Sequence, residues 1–87
     1  MEIKKELIKR EIAGECILVP VGKTVYENNG LFVLNELAAY IWDILPDVST
    51  EEEIVDAVVG EYDVDRENAV RDAAEFLEKL RGFGIID

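Results

Sequence analysis

The chain contains no histidine, which excludes Ser-His-Asp triads, Cys-His nucleophile pairs and every zinc site that needs an imidazole. It has one cysteine, Cys16, so no internal disulfide can form. Cys16 stands beside Ile17 and Leu18 in an apolar run and reads as a small core hydrophobe, not a nucleophile. Glycine is sparse and scattered: Gly30 and Gly60 are isolated, and Gly82 and Gly84 follow a helical stretch instead of opening one, so no phosphate-cradling loop is present. No apolar run approaches the ~20 residues needed to span a bilayer. The opening MEIKKE lacks the apolar stretch of a secretory signal. A cytoplasmic protein without a membrane partner is expected.

Basic residues are also scarce, nine against twenty acids, for a net charge of -11. The deficit is uneven. Residues 1–34 hold five acids and five bases, leaving fifteen acids and four bases for residues 35–87. The first part is neutral and the second carries the whole charge, which describes a polarised surface able to steer partners of one sign. With 87 residues and 49% hydrophobic content, the chain suffices for one core and a single domain over residues 1–87.

Residues 7–12 alternate, with Ile8, Arg10 and Ile12 on one side and Leu7, Lys9 and Glu11 on the other, the period of a half-buried strand. Ala13 and Gly14 supply a turn, and residues 15–21, apolar on both parities, read as a central returning strand that ends near Pro20. Residues 24–26 carry a short strand signal and Asn28-Asn29-Gly30 a turn signal. A third strand follows at Leu31, Phe32, Val33 and Leu34. In a simple meander it lies at an edge, where its uncharged, proline-free backbone invites another strand.

Asn35 is a good N-cap for a first helix that Pro46 ends, and Thr50 with Glu53 forms a capping box for a second. A third helix is predicted from Asp65, as its cap, to about Arg81, closed by Gly82 or Gly84. Its apolar residues cover about half the circumference, more than one packing contact needs. Val70, Ala73, Leu77 and Leu80 are expected in the core, leaving Ala69, Phe76 and Phe83 along a margin to line something else. The fold class is therefore α+β, winged helix-turn-helix-like, with an N-terminal three-stranded antiparallel sheet followed by three helices.

A helix-turn-helix that reads DNA must neutralise phosphates with Lys and Arg. The third helix offers Arg66, Arg71, Lys79 and Arg81 against Glu67, Asp72, Glu75 and Glu78, so no positive field results and nucleic acid is not the expected partner. Asp63, Asp65 and Glu67 imitate the start of an EF-hand, yet the glycine required at the sixth position is Asn68 and the glutamate required at the twelfth is Ala74. No metal and no cofactor is expected, and with no constellation for catalysis the chain reads as a binder, not an enzyme.

Residues 10–22 (REIAGECILVPVG), 29–42 (NGLFVLNELAAYIW), 50–54 (TEEEI), 62–65 (YDVD) and 72–80 (DAAEFLEKL), in that order and spacing, resemble the PqqD family, or RiPP recognition elements. The resemblance runs from about residue 7 to residue 86. It implies a domain that binds the leader of a ribosomally made precursor peptide and presents it to a modifying enzyme, such as a radical S-adenosylmethionine maturase or a leader peptidase. It further implies that the leader docks as an antiparallel strand on the third strand, beside the third helix. The site residues it implies are Leu31, Phe32, Val33 and Leu34 on one wall and Ala69, Asp72, Ala73, Phe76 and Leu80 on the other. Asp72 with Glu75 and Glu78 would favour a basic leader residue nearby. The competing classes are a transcription regulator and an interaction module that homodimerises through the same edge strand.

Overall fold

The structure, a computed structural model, describes residues 1–22 and 32–87. Leu31, the short strand expected at residues 24–26 and the turn at residues 28–30 lie outside the described residues. Strands β1 (Leu7–Ile12), β2 (Glu15–Pro20) and β3 (Phe32–Leu34) form an antiparallel sheet in the order β1-β2-β3. Helices α1 (Glu36–Ile44), α2 (Glu51–Glu61) and α3 (Arg66–Gly82) follow, with a 3-10 turn over Leu45–Asp47 between the first two. This is the expected three-stranded sheet followed by three helices.

The β1–β2 hairpin closes on two residues, Ala13 (φ 53°) and Gly14 (φ 81°). Positive φ at both positions is the type I′ geometry, whose twist matches that of the flanking strands. Register then sets the faces, because residues opposite one another across a ladder share a side. Lys9, Leu18 and Phe32 are aligned on the helical side, and Arg10, Ile17 and Val33 on the other. Full burial of Leu18 fixes which side packs. The alternation in β1 is real, but its apolar parity is the outer one: Ile8 and Ile12 are 37% and 51% exposed. On the inner side the Lys9 ammonium meets the Asp43 carboxylate of α1 at 2.5 Å, and that hydrogen bond raises its pKa above the usual lysine value.

The helices start where their caps dictate. Asn35 Oδ1 accepts from the Ala38 N–H at 2.8 Å, and Thr50 Oγ1 from the Glu53 N–H at 3.2 Å. Glu53 reaches back to the Ser49 N–H at 3.0 Å, one residue ahead of the usual capping-box partner. Asp65 occupies the N-cap position of α3 without a side-chain capping bond, contrary to expectation. Glu67 supplies first-turn negative charge there, and Arg66 instead ties the start of α3 to Asp56 of α2 at 2.8 Å.

The core lies between the sheet and the three helices, around Leu18, Ile41, Leu45, Ile54, Leu77 and Leu80. Along α3 the buried row is Ala69, Ala73, Leu77 and Leu80. The expected assignment of Val70 and Ala69 is thus reversed. Val70 is 47% exposed and Ala69 buried, because Ala69, Ala73 and Leu80 fall at i, i+4 and i+11 in line with Leu77, whereas Val70 is turned ~100° off that row. Gly84, not Gly82, ends the helix. With φ 71° it donates to Arg81 O, while Ile85 donates to Leu80 O, the paired bonds of a Schellman motif. Ile85 and Leu80 are both fully buried, which supplies the hydrophobic contact of that motif.

Candidate functional site

A groove of about 630 Å³ opens between β3 and α3, within the range of about 300–1,000 Å³ common for ligand clefts. One wall is Phe32, Val33 and Leu34; α3 supplies the other through Asp72, Glu75, Phe76 and Lys79; Leu37, Ala38 and Ile41 of α1 form the floor. Phe83 closes one end. Its ring stands edge-on to Phe32, centroids 4.6 Å apart and planes at 90°, an arrangement worth about 0.5–1.5 kcal/mol beyond area burial. The Schellman turn at Gly84 places Phe83 there, just after the last turn of α3.

The helical wall follows from spacing. Asp72, Phe76, Lys79 and Phe83 recur at i, i+4, i+7 and i+11, a row one residue N-terminal to the core row of Ala73, Leu77 and Leu80 and so rotated about 100° from it. Burying the first row leaves the second at the margin, facing the sheet edge. Phe32, Val33, Leu34, Asp72 and Phe76 all line the groove. Ala69, Ala73 and Leu80 do not; they are at most 1% exposed and support the wall from behind. Leu31 is outside the described residues.

The wall is not uniformly acidic. Because Phe83 meets Phe32, the C-terminal end of α3 lies at the start of β3, and Asp72 lies roughly 16 Å back along the helix. Asp72 and Glu75 therefore lie farther along the helix from the Phe32–Phe83 contact than Lys79 does. Lys79 and Glu75 make no ion pair among the described residues, and Asp72 has only a 3.8 Å contact with Arg71. The cation at Lys79 and the α1 floor are features that sequence reasoning missed. A signal for the floor was present, since Leu37 and Ile41 sit at i and i+4, but that pair is equally what a core-facing helix shows.

β3 pairs with β2 on one side, and among the described residues no strand covers its other side. Its Val33 is 65% exposed. Among the described residues no group of three or more His, Cys, Asp or Glu side chains is placed to hold a metal ion, and no helix is long and apolar enough to cross a membrane.

Comparison with known proteins places this architecture. The family model described as coenzyme PQQ synthesis protein D (PqqD) matches residues 15–86. This chain belongs to the PqqD family. As a PqqD-type recognition element it is a binding domain, not an enzyme. Among solved structures it is similar to TbiB1 in complex with the TbiA(beta) leader peptide, at 31% sequence identity and a TM-score of 0.73, covering 100% of this chain and 95% of that one. No curated protein matches the chain. In this chain the groove between β3 and α3 brings together an open backbone edge, an apolar floor and charged margins.

Proposed function

We propose that this PqqD-family domain binds the leader of a ribosomally synthesised precursor peptide and presents it to the enzyme that modifies the precursor. The observation that carries the proposal is the open edge of β3 forming one wall of an apolar-floored groove. The leader adds antiparallel to β3. Backbone hydrogen bonds to the edge give affinity with little sequence demand, and alternate leader side chains enter the space over Leu37, Phe76 and Phe83, where selection occurs. Phe32, Val33, Leu34, Asp72 and Phe76 contact the leader directly, with Ala69, Ala73 and Leu80 holding the helical wall in place. The similarity to a TbiB1 chain that was solved with a leader peptide supports this reading.

Fluorescence anisotropy with the labelled leader of the precursor encoded beside this gene tests it. Saturable binding at micromolar Kd or tighter, about -8 kcal/mol, is expected. Hydrogen exchange should slow at Phe32–Leu34 in the complex. Absence of binding at low salt, or binding with unchanged exchange in β3, refutes the proposal.

A further inference from the structure

Among the described residues that line the groove, Lys79 is the single cation. Lys4, Lys9, Arg66, Arg71 and Arg81 each meet a carboxylate at 2.5–3.8 Å. Lys79 meets none among the described residues, in a chain with twenty acids and nine bases. Arg10 likewise has no ion pair among them, but it lies on the outer face of the sheet and does not line the groove.

A partner for Lys79 stands at the right spacing and is not taken. Glu75 precedes it by four residues, the favourable order for an ion pair on a helix, and lines the same groove. Glu78 is turned toward Arg81 instead, at 3.7 Å. Nor is Lys79 needed to balance the end of α3, where Arg81 already supplies a last-turn cation and donates to the Asp87 carbonyl at 3.0 Å. The ammonium is left to the groove.

Its surroundings change when a strand docks. Lys79 lies between Phe76 and Phe83 in the row that faces the sheet edge, so a bound peptide covers its stem and displaces water from its ammonium. A cation that loses water against apolar neighbours costs free energy unless an anion replaces the lost hydration. The protein supplies no anion to Lys79, so the peptide must.

We infer that Lys79 is a specificity-determining residue of the groove, taking the carboxylate of an Asp or Glu side chain in the docked leader segment. The inference rests on the proposed leader binding and adds to it a requirement opposite in sign to the one that the net charge of -11 suggests. The ligand so described is a peptide of mixed charge, with an acid for Lys79 as well as the base favoured by Asp72 and Glu75.

The test is a double-mutant cycle read by anisotropy. Each Asp and Glu of the leader encoded beside this gene is changed singly to Asn or Gln, and every peptide is titrated into the parent protein and into Lys79→Gln. At one position, neutralisation should weaken binding to the parent about threefold to fivefold and leave binding to Lys79→Gln unchanged. Reversing both charges separates recognition from support of the helix: Lys79→Glu should bind the parent leader about tenfold more weakly, and a leader carrying Lys at that position should recover most of the loss. Raising salt to about 0.5 M should shrink the parent's advantage over Lys79→Gln. Urea denaturation of Lys79→Gln should match the parent, because the side chain is exposed and unpaired. A Lys79→Gln affinity within about 1.5-fold of the parent, acid neutralisations that all add to Lys79→Gln, a charge reversal that repairs nothing, or a destabilised variant that weakens every leader alike overturns the assignment while leaving groove binding intact. If no leader binds the parent protein, the leader-binding reading itself falls, and this one with it.

Discussion

Phe83→Ala separates the aromatic end of the groove from the rest of the fold. Phe83 is 49% exposed, and a Phe side chain can bury ~150–250 Å², so about 100 Å² remains for a ligand to cover. At about 25 cal/mol per Å² that area is worth at most ~2.5 kcal/mol, or roughly 70-fold in Kd. Truncation also removes area already buried and the edge-on contact with Phe32, a stability loss of about 3–4 kcal/mol. A domain of this size holds ~5–15 kcal/mol, so the variant remains folded for binding measurements in the cold. The Phe83→Leu control keeps most of the bulk and loses the ring. Leader anisotropy alongside urea denaturation measures both quantities. A Phe83→Ala protein that is folded and destabilised yet binds within twofold of the parent refutes the placement of a leader side chain against Phe83.

Three further outcomes follow from the fold. Ala13 holds φ 53° in the hairpin turn, so Ala13→Gly or Ala13→Asn should raise stability by about 0.5–1 kcal/mol in denaturant titration; a loss would contradict the I′ assignment. Thr50→Ala removes the hydroxyl that accepts from the Glu53 N–H and should cost about 1 kcal/mol by the same method. The pKa values of Lys4, Lys9 and Tyr62 are all raised, the first two by hydrogen bonds to Asp87 and Asp43 and the third by desolvation. A group whose folded pKa is raised adds stability that is complete below its unfolded value and lost as pH climbs through the folded one. The thermal midpoint should therefore fall as pH rises through the alkaline range, and Lys9→Met should flatten the part of the fall above 10.5; an unchanged alkaline limb in that variant would show the Lys9–Asp43 pair to be energetically silent.

Local chemistry made most of the architecture legible. Asn35, Thr50 and Pro46 mark helix boundaries through caps and a missing N–H, effects confined to a few neighbouring residues, and the structure places the boundaries there. The strands follow from alternation and a turn in the same way. What sequence reasoning left open or misjudged depends on which face meets which. Ile8 and Ile12 have the right period for β1, but only the burial of Leu18 on β2 decides that they look outward. Val70 and Ala69 are adjacent on α3, and the direction of the sheet chooses between them. Leu37, Ala38 and Ile41 form the groove floor because α1 passes beneath the gap, a fact with no local signature. Lys79 joins the groove because it follows Asp72 and Phe76 on the face of α3 turned toward β3, which only the packing of the helix selects.

Trp42, the only tryptophan, is 8% exposed and lies in the core on α1, next in sequence to Ile41 of the groove floor but absent from its lining. Its indole is thus a built-in optical gauge set one layer behind the docking surface. A ligand that merely fills the trough leaves its emission colour and its shielding from iodide as they were, whereas one that levers α1 away from the sheet shifts both. The intrinsic fluorescence of the unlabelled protein can therefore distinguish rigid reception of a peptide from reception coupled to a shift of the helix beneath it.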